Sequence, residues 1–170
     1  KVNGQLQGGE YALPIPDFPT GTMRGRFHAQ SGQLYVCGMF AWAGNKNGTG
    51  GFYRVRYTGQ PVCLPITLNA GNQKLRLKFT EKLDAAAASS PASYSLQTWD
   101  LKRTRNYGSR HYNTKGLKVG SAKLLPDGQT VELNVPELKP TWGMEIKYKL
   151  KTAEGKGISN VIHNSIHNLQ

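Results

Sequence analysis

Three stretches in the second half of the chain alternate strictly between apolar and polar residues. Leu75, Leu77 and Phe79 alternate with Lys74, Arg76 and Lys78. Val131, Leu133 and Val135 alternate with Glu132 and Asn134. Met144, Ile146, Tyr148 and Leu150 alternate with Glu145, Lys147 and Lys149. A period of two sends successive side chains to opposite faces, so each stretch predicts a strand with one apolar face and one polar face. Three one-sided strands need a second sheet to cover them, which predicts an all-β sandwich.

Nearer the N-terminus, residues 33–40 and 51–57 predict two further strands. In the second of these, Tyr53, Val55 and Tyr57 alternate with Arg54 and Arg56, and AGNKNGTGG joins the pair into a hairpin. The preceding LPIPDFPTG carries three prolines in nine residues, too many for a sheet interior, and predicts an ordered extended loop. Pro126-Asp127-Gly128 predicts a tight turn between the strands around Leu124 and Val131. Residues 83–91 hold the one helical candidate, a turn or two ended before Pro91. A seam near residues 59–70 divides a hairpin segment, 1–60, from the sandwich, 61–170.

With 20 Gly and 9 Pro among 170 residues, the composition suits many short strands and tight turns. No apolar run approaches the ~20 residues a membrane-spanning helix needs, so no membrane span is expected. The chain opens at Lys1 with neither an initiator Met nor a signal-like apolar segment, which points to a piece of something longer. A formal net charge of +12 favours polyanionic partners or, equally, a solvated basic surface. Cys37 and Cys63 are candidates for one disulfide in an oxidising compartment, a closure worth ~3 kcal/mol, or for two buried thiols in apolar contexts. With no CxxC pair and no CxxCH, neither a zinc ribbon nor covalent haem attachment is encoded.

The order LKFTEKLD, SPASYSL, LLPDGQTVELNV and IKYKLKTAEGKGI resembles the bacterial Ig-like domains that serve as spacers and accessory modules in large secreted proteins. The run FPTGTMRGRFHAQSGQLYVCGMFAWAGN…GGFYRVRYTG is similar to the final β-propeller blade of very large secreted bacterial proteins related to sorbosone dehydrogenases, the membrane-bound dehydrogenase-like or haem-binding-domain proteins. LKRTRNYGSRHY, LLPDGQTVELNVPELKPTWGMEI and VIHNSIHNL resemble the segment after that propeller. This resemblance implies a noncatalytic accessory or binding module of an exported, redox-like multidomain protein, secreted, periplasmic or at the cell surface, with the parent chain's other domains as partners. It carries over no active site. The family's haem motif is missing and one blade cannot hold a quinone, so no cofactor is expected.

The residues themselves offer several chemical constellations. Between Trp99 and Lys123, the bases Lys102, Arg103, Arg105 and Arg110 are interleaved with Trp99, Tyr107, His111 and Tyr112. Basic groups follow phosphate, sulfate or carboxylate charge while aromatic faces stack on sugars or bases, so this stretch is the candidate contact for an anionic polymer, and the alternative to an accessory module is a stand-alone carbohydrate-binding domain for anionic polysaccharide. A long exposed inter-strand loop has the same appearance. Nucleic acid is the less favoured polyanion, since no recognised nucleic-acid motif is present. His163 and His167 are four apart and share a face on helix or strand. They are a side candidate for a metal, against a reading in which they pack the terminus down.

Asp17 with Arg24, Arg26 and His28 lacks a nearby nucleophile and reads as loop bracing. Glu145 and Asp100 raise the paired-carboxylate question of a glycosidase, although Glu145 falls on the polar face of its strand. Neither a G-x-S-x-G elbow nor a phosphate-binding glycine loop is present. Trp42 and Trp142, both at loop mouths, read as plugs of buried area ahead of sugar-stacking platforms.

Overall fold

The apolar halves of the alternating stretches meet in one core. In the computed structural model, which describes residues 1–40 and 48–170, Leu75, Leu77, Phe79, Val131, Leu133, Val135, Met144 and Ile146 are fully buried. Their neighbours Lys74, Arg76, Lys147 and Lys149 stay in solvent. Two antiparallel sheets contribute to this core. One has the strand order β5 (Pro65–Gly71), β6 (Lys74–Phe79), β10 (Thr130–Asn134) and β9 (Ser121–Leu124). The other runs β1 (Gly9–Tyr11), β12 (Gly157–Ile166), β11 (Thr141–Lys151), β7 (Tyr94–Asp100) and β8 (Tyr112–Leu117). The protein is therefore all-β and sandwich-like, as the alternation predicts.

Register follows from burial. Leu77 lies opposite Val131 and Leu75 opposite Leu133, while Leu96, Ile146 and Ile162 form a row across β7, β11 and β12. A slip of one residue in any of these strands would turn its apolar set to water. Phe79 from one sheet meets Tyr148 from the other edge-to-face at 5.4 Å, and burial pushes the Tyr148 phenol up to about 12.

The connections use the expected chemistry. Asp127 Oδ1 accepts from the backbone N–H of Gln129 and Thr130, and Oδ2 accepts from the Thr130 hydroxyl at 2.6 Å. Gly128 supplies the left-handed conformation at φ +69. The helical candidate is the single turn α1 (Ala85–Ala88), capped by Asp84, whose carboxylate accepts from the Ala87 N–H at 2.8 Å. It gives way at Pro91 to a short 3-10 turn. Tyr94 donates its buried hydroxyl to the Ala88 carbonyl at 2.8 Å, fastening the helix to the sheet.

The chain divides into two units, one made of Lys1–Ala12 with Val62–Gln170 and the other of Leu13–Pro61. The first twelve residues, expected with the hairpin in a 1–60 segment, are instead built into the sandwich as β1 on the edge of β12. Gly9 permits that pairing, because a Cβ there would stand 2.8 Å from the His163 carbonyl and 2.9 Å from Asn164 Cβ. Gln7 fixes it from the other side by accepting from the His167 and Asn168 N–H groups and donating to the Asn168 carbonyl. These partners lie some 160 residues away, out of reach of any local pattern.

In the second unit, the predicted hairpin is β3 (Leu34–Met39) with β4 (Gly50–Val55), and a third strand, β2 (Gly21–Phe27), pairs with β3. Residues 41–47, including Trp42, lie outside the described residues. Cys37 is exposed on β3 and Cys63 is half-buried in the other unit. Both are free thiols. Desolvation of Cys63 raises its thiol above the ordinary range.

Candidate functional site

The core-facing side of β7, β11 and β12 is mainly apolar, which leaves the opposite side of the same strands to carry chemistry. Cross-strand register aligns Glu10 with His163, His163 with Glu145, and Glu145 with Gln97, a polar row running across four strands. Glu145 Oε1 accepts from Gln97 Nε2 at 2.8 Å and pairs with Lys147 Nζ at 2.8 Å, and its Oε2 stands 3.4 Å from His163 Nε2. Lys147, aided by His163, holds the Glu145 carboxyl below the usual carboxylate range against the opposing push of burial. Glu10, at the open end of the row, makes no ion pair or side-chain hydrogen bond among the described residues, so its carboxylate oxygens remain available as acceptors.

Trp99 lies over Gly143 on this face. A Cβ at position 143 would run into the indole Nε1 and Cε2, so glycine is what lets the ring lie flat there. His111 stacks on the indole with ring centres 4.1 Å apart and planes 11° from parallel, while His163 meets it edge-on at 6.3 Å. Only 8% of Trp99 remains exposed. The indole is an anchor for the chain returning at His111, and its stacking faces are already occupied.

The anchored segment is the candidate loop itself. Residues 101–111 are exposed along their whole length, with Tyr107 fully in solvent. Lys102, Arg103, Arg105 and Arg110 have no acidic residue among them, and none makes an ion pair among the described residues. Lys102 Nζ sits 4.5 Å over the Tyr112 ring. Ser109 Oγ accepts from the Lys102 N–H and donates to the Arg110 carbonyl, tying the two ends of the loop together. At its base, Asn113 adopts φ +51 and donates to Asp100 Oδ2 at 2.8 Å, where the β7–β8 register shifts.

Trp142 supplies what Trp99 does not. Expected as a plug, it is 63% exposed, because the β11–β12 register shifts between Thr141 and Met144 and takes the residue out of the core-facing series. Its one ring neighbour among the described residues is His167, edge-on at 5.2 Å. Beside it runs an open groove of about 450 Å³ lined by Glu10, Trp99, Leu101, Trp142, His163 and Ser165. A second cleft of similar size lies along Asp100, Asn113, Lys115 and Glu137, where Lys115 and Glu137 already neutralise each other.

No family model matches the chain, and neither does any curated protein or solved structure.

The remaining candidates are scattered. His163 faces Trp99 and Glu145 whereas His167 faces Trp142, and among the described residues no three His, Cys, Asp or Glu side chains gather as metal ligands. Asp100 pairs with Asn113 while Glu145 is held by Lys147 and Gln97, so these two carboxylates have separate partners. His28 Nδ1 is 2.9 Å from the Ser31 hydroxyl in the β2–β3 turn, and Asp17 lies in the proline-rich segment before β2. Arg24 and Arg26 belong to an exposed face of the three-stranded sheet. There register aligns Arg26 with Tyr35 and Tyr35 with Arg54, and Tyr35 stacks on Phe52 at 5.6 Å. Period-two spacing was the available signal for this face, with β3 and β4 legible and β2 not.

Proposed function

We propose that this protein is a noncatalytic binding module of a larger exported protein and that its ligand is an anionic polysaccharide. The observation that carries this reading is the Trp99–His111 stack, which fastens beside the Trp142 groove a loop whose four bases make no ion pair among the described residues. A sugar ring stacks its apolar face on Trp142 while the loop arginines and Lys102 meet the polymer's carboxylate or sulfate groups. Arg24, Arg26 and Arg54 with Phe52 offer the same chemistry on the other unit. Glu145, the carboxylate best set into the sheet, is occupied by Lys147 and Gln97, which favours a binding role over acid–base work. The setting rests on the resemblance of both halves of the chain to the end of the sorbosone-dehydrogenase-like proteins, with the sandwich as an Ig-like domain and the three-stranded sheet as part of a propeller blade.

Calorimetric titration with a uronic-acid polymer tests the reading. Trp142→Ala is expected to cost about 2 kcal/mol, roughly 30-fold in affinity, as for an exposed aromatic anchor. Reversing charge at Arg103 and Arg105 is expected to abolish the salt dependence of binding together with most of the affinity. Equal affinity in wild type and both variants would contradict it.

A further inference from the structure

The groove and its loop are unlike in charge. The loop over residues 101–111 is wholly basic, whereas the acid lining the groove is Glu10, whose carboxylate has no side-chain partner among the described residues. Glu145 continues the row behind His163. Carboxylate oxygens accept hydrogen bonds from sugar hydroxyls and repel a second carboxylate or a sulfate. A ring seated on Trp142 within reach of Glu10 must therefore be uncharged, while a ring beside Lys102, Arg103 and Arg105 is drawn in by its negative charge.

Building on the proposed polysaccharide site, we infer that the ligand is a heteropolymer in which neutral and acidic sugars alternate, the neutral unit occupying the Trp142–Glu10 groove and the acidic unit lying under the basic loop. Specificity then resides in Glu10, which excludes polymers charged on every ring. Net charge alone makes the opposite forecast, because a basic loop by itself prefers the polymer with more charges per unit length.

The test compares two soluble polymers at equal ring concentration and fixed salt. Hyaluronan carries one carboxylate on every second ring and polygalacturonate one on each. The wild-type protein is expected to bind hyaluronan at least ~10-fold more tightly, about 1.4 kcal/mol, and Glu10→Gln is expected to bring the two within ~3-fold, mainly by improving polygalacturonate binding. Equal or tighter binding of polygalacturonate by the wild type overturns the alternation and leaves the polyanion site standing. So does a preference for hyaluronan that Glu10→Gln does not change. Binding of neither polymer overturns both. Circular dichroism of the variant distinguishes lost selectivity from lost folding.

Discussion

At the scale of single residues, burial and hydrogen bonding divide the side chains into those the fold uses and those it leaves open. Asn164 is the residue the fold uses least well. It is 7% exposed on the same side of β12 as Ile162 and Ile166, and neither amide atom has a hydrogen-bond partner among the described residues. An unsatisfied buried polar group costs about 1–3 kcal/mol, so Asn164→Leu, nearly isosteric, is expected to stabilise the protein by an amount of that order in urea unfolding. A destabilised variant would mean that the amide has partners in solution. Trp142 and Trp99 make the complementary point. Both follow the same rule of large apolar area seeking cover, yet Trp99 finds Gly143 and His111 while a register shift takes Trp142 to the surface.

At the scale of elements, the strands most legible in the sequence were one-sided. β6, β10 and β11 from Met144 onward carry unbroken alternation because one face meets the core and the other faces outward. β1, β2 and β8 were not legible, since all three are edge strands with glycine or little alternation, and β1 owes its pairing to partners such as Asn164 at the far end of the chain. The candidate loop was legible as a basic-aromatic composition. Its anchoring was not, because the His111–Trp99 stack and the Gly143 seat depend on which strands become neighbours.

The pairing of β6 with β10 supports a pH prediction. Arg76 binds the Glu132 carboxylate at 2.7 Å, with Lys74 nearby, and holds it below the ordinary 4.5. A carboxylate depressed in the folded state stabilises the protein above its unfolded pKa and ceases to do so as pH falls through the lower folded value. Arg76→Ala is accordingly expected to destabilise by about 0.5–1 kcal/mol at neutral pH. The difference should shrink below pH 4.5 and vanish once Glu132 is protonated in both states. A difference that persists in acid would assign the effect to packing of the arginine stem.

At the scale of the whole molecule, the excess of 22 basic over 10 acidic residues is unevenly spent. On β6, β10 and β11 the outward charges are partly paired within the sheets, as Arg76 with Glu132 and Lys147 with Glu145. Bases without an ion pair among the described residues are spread over the molecule, and they include Lys102, Arg103, Arg105 and Arg110 on the 101–111 loop and Arg24, Arg26 and Arg54 on the three-stranded sheet. Both surfaces combine charge with exposed aromatic rings, Tyr107 and Trp142 on one unit and Phe52, 73% exposed, on the other. We propose that the first of these surfaces takes the ligand, and two-dimensional amide and indole NMR during titration with hyaluronan oligosaccharides reads out where it binds. Shifts confined to the Trp142 indole, Glu10, Leu101 and the loop through His111 are the predicted result. Shifts centred on Tyr35 and Phe52, or none at saturating oligosaccharide, would contradict it.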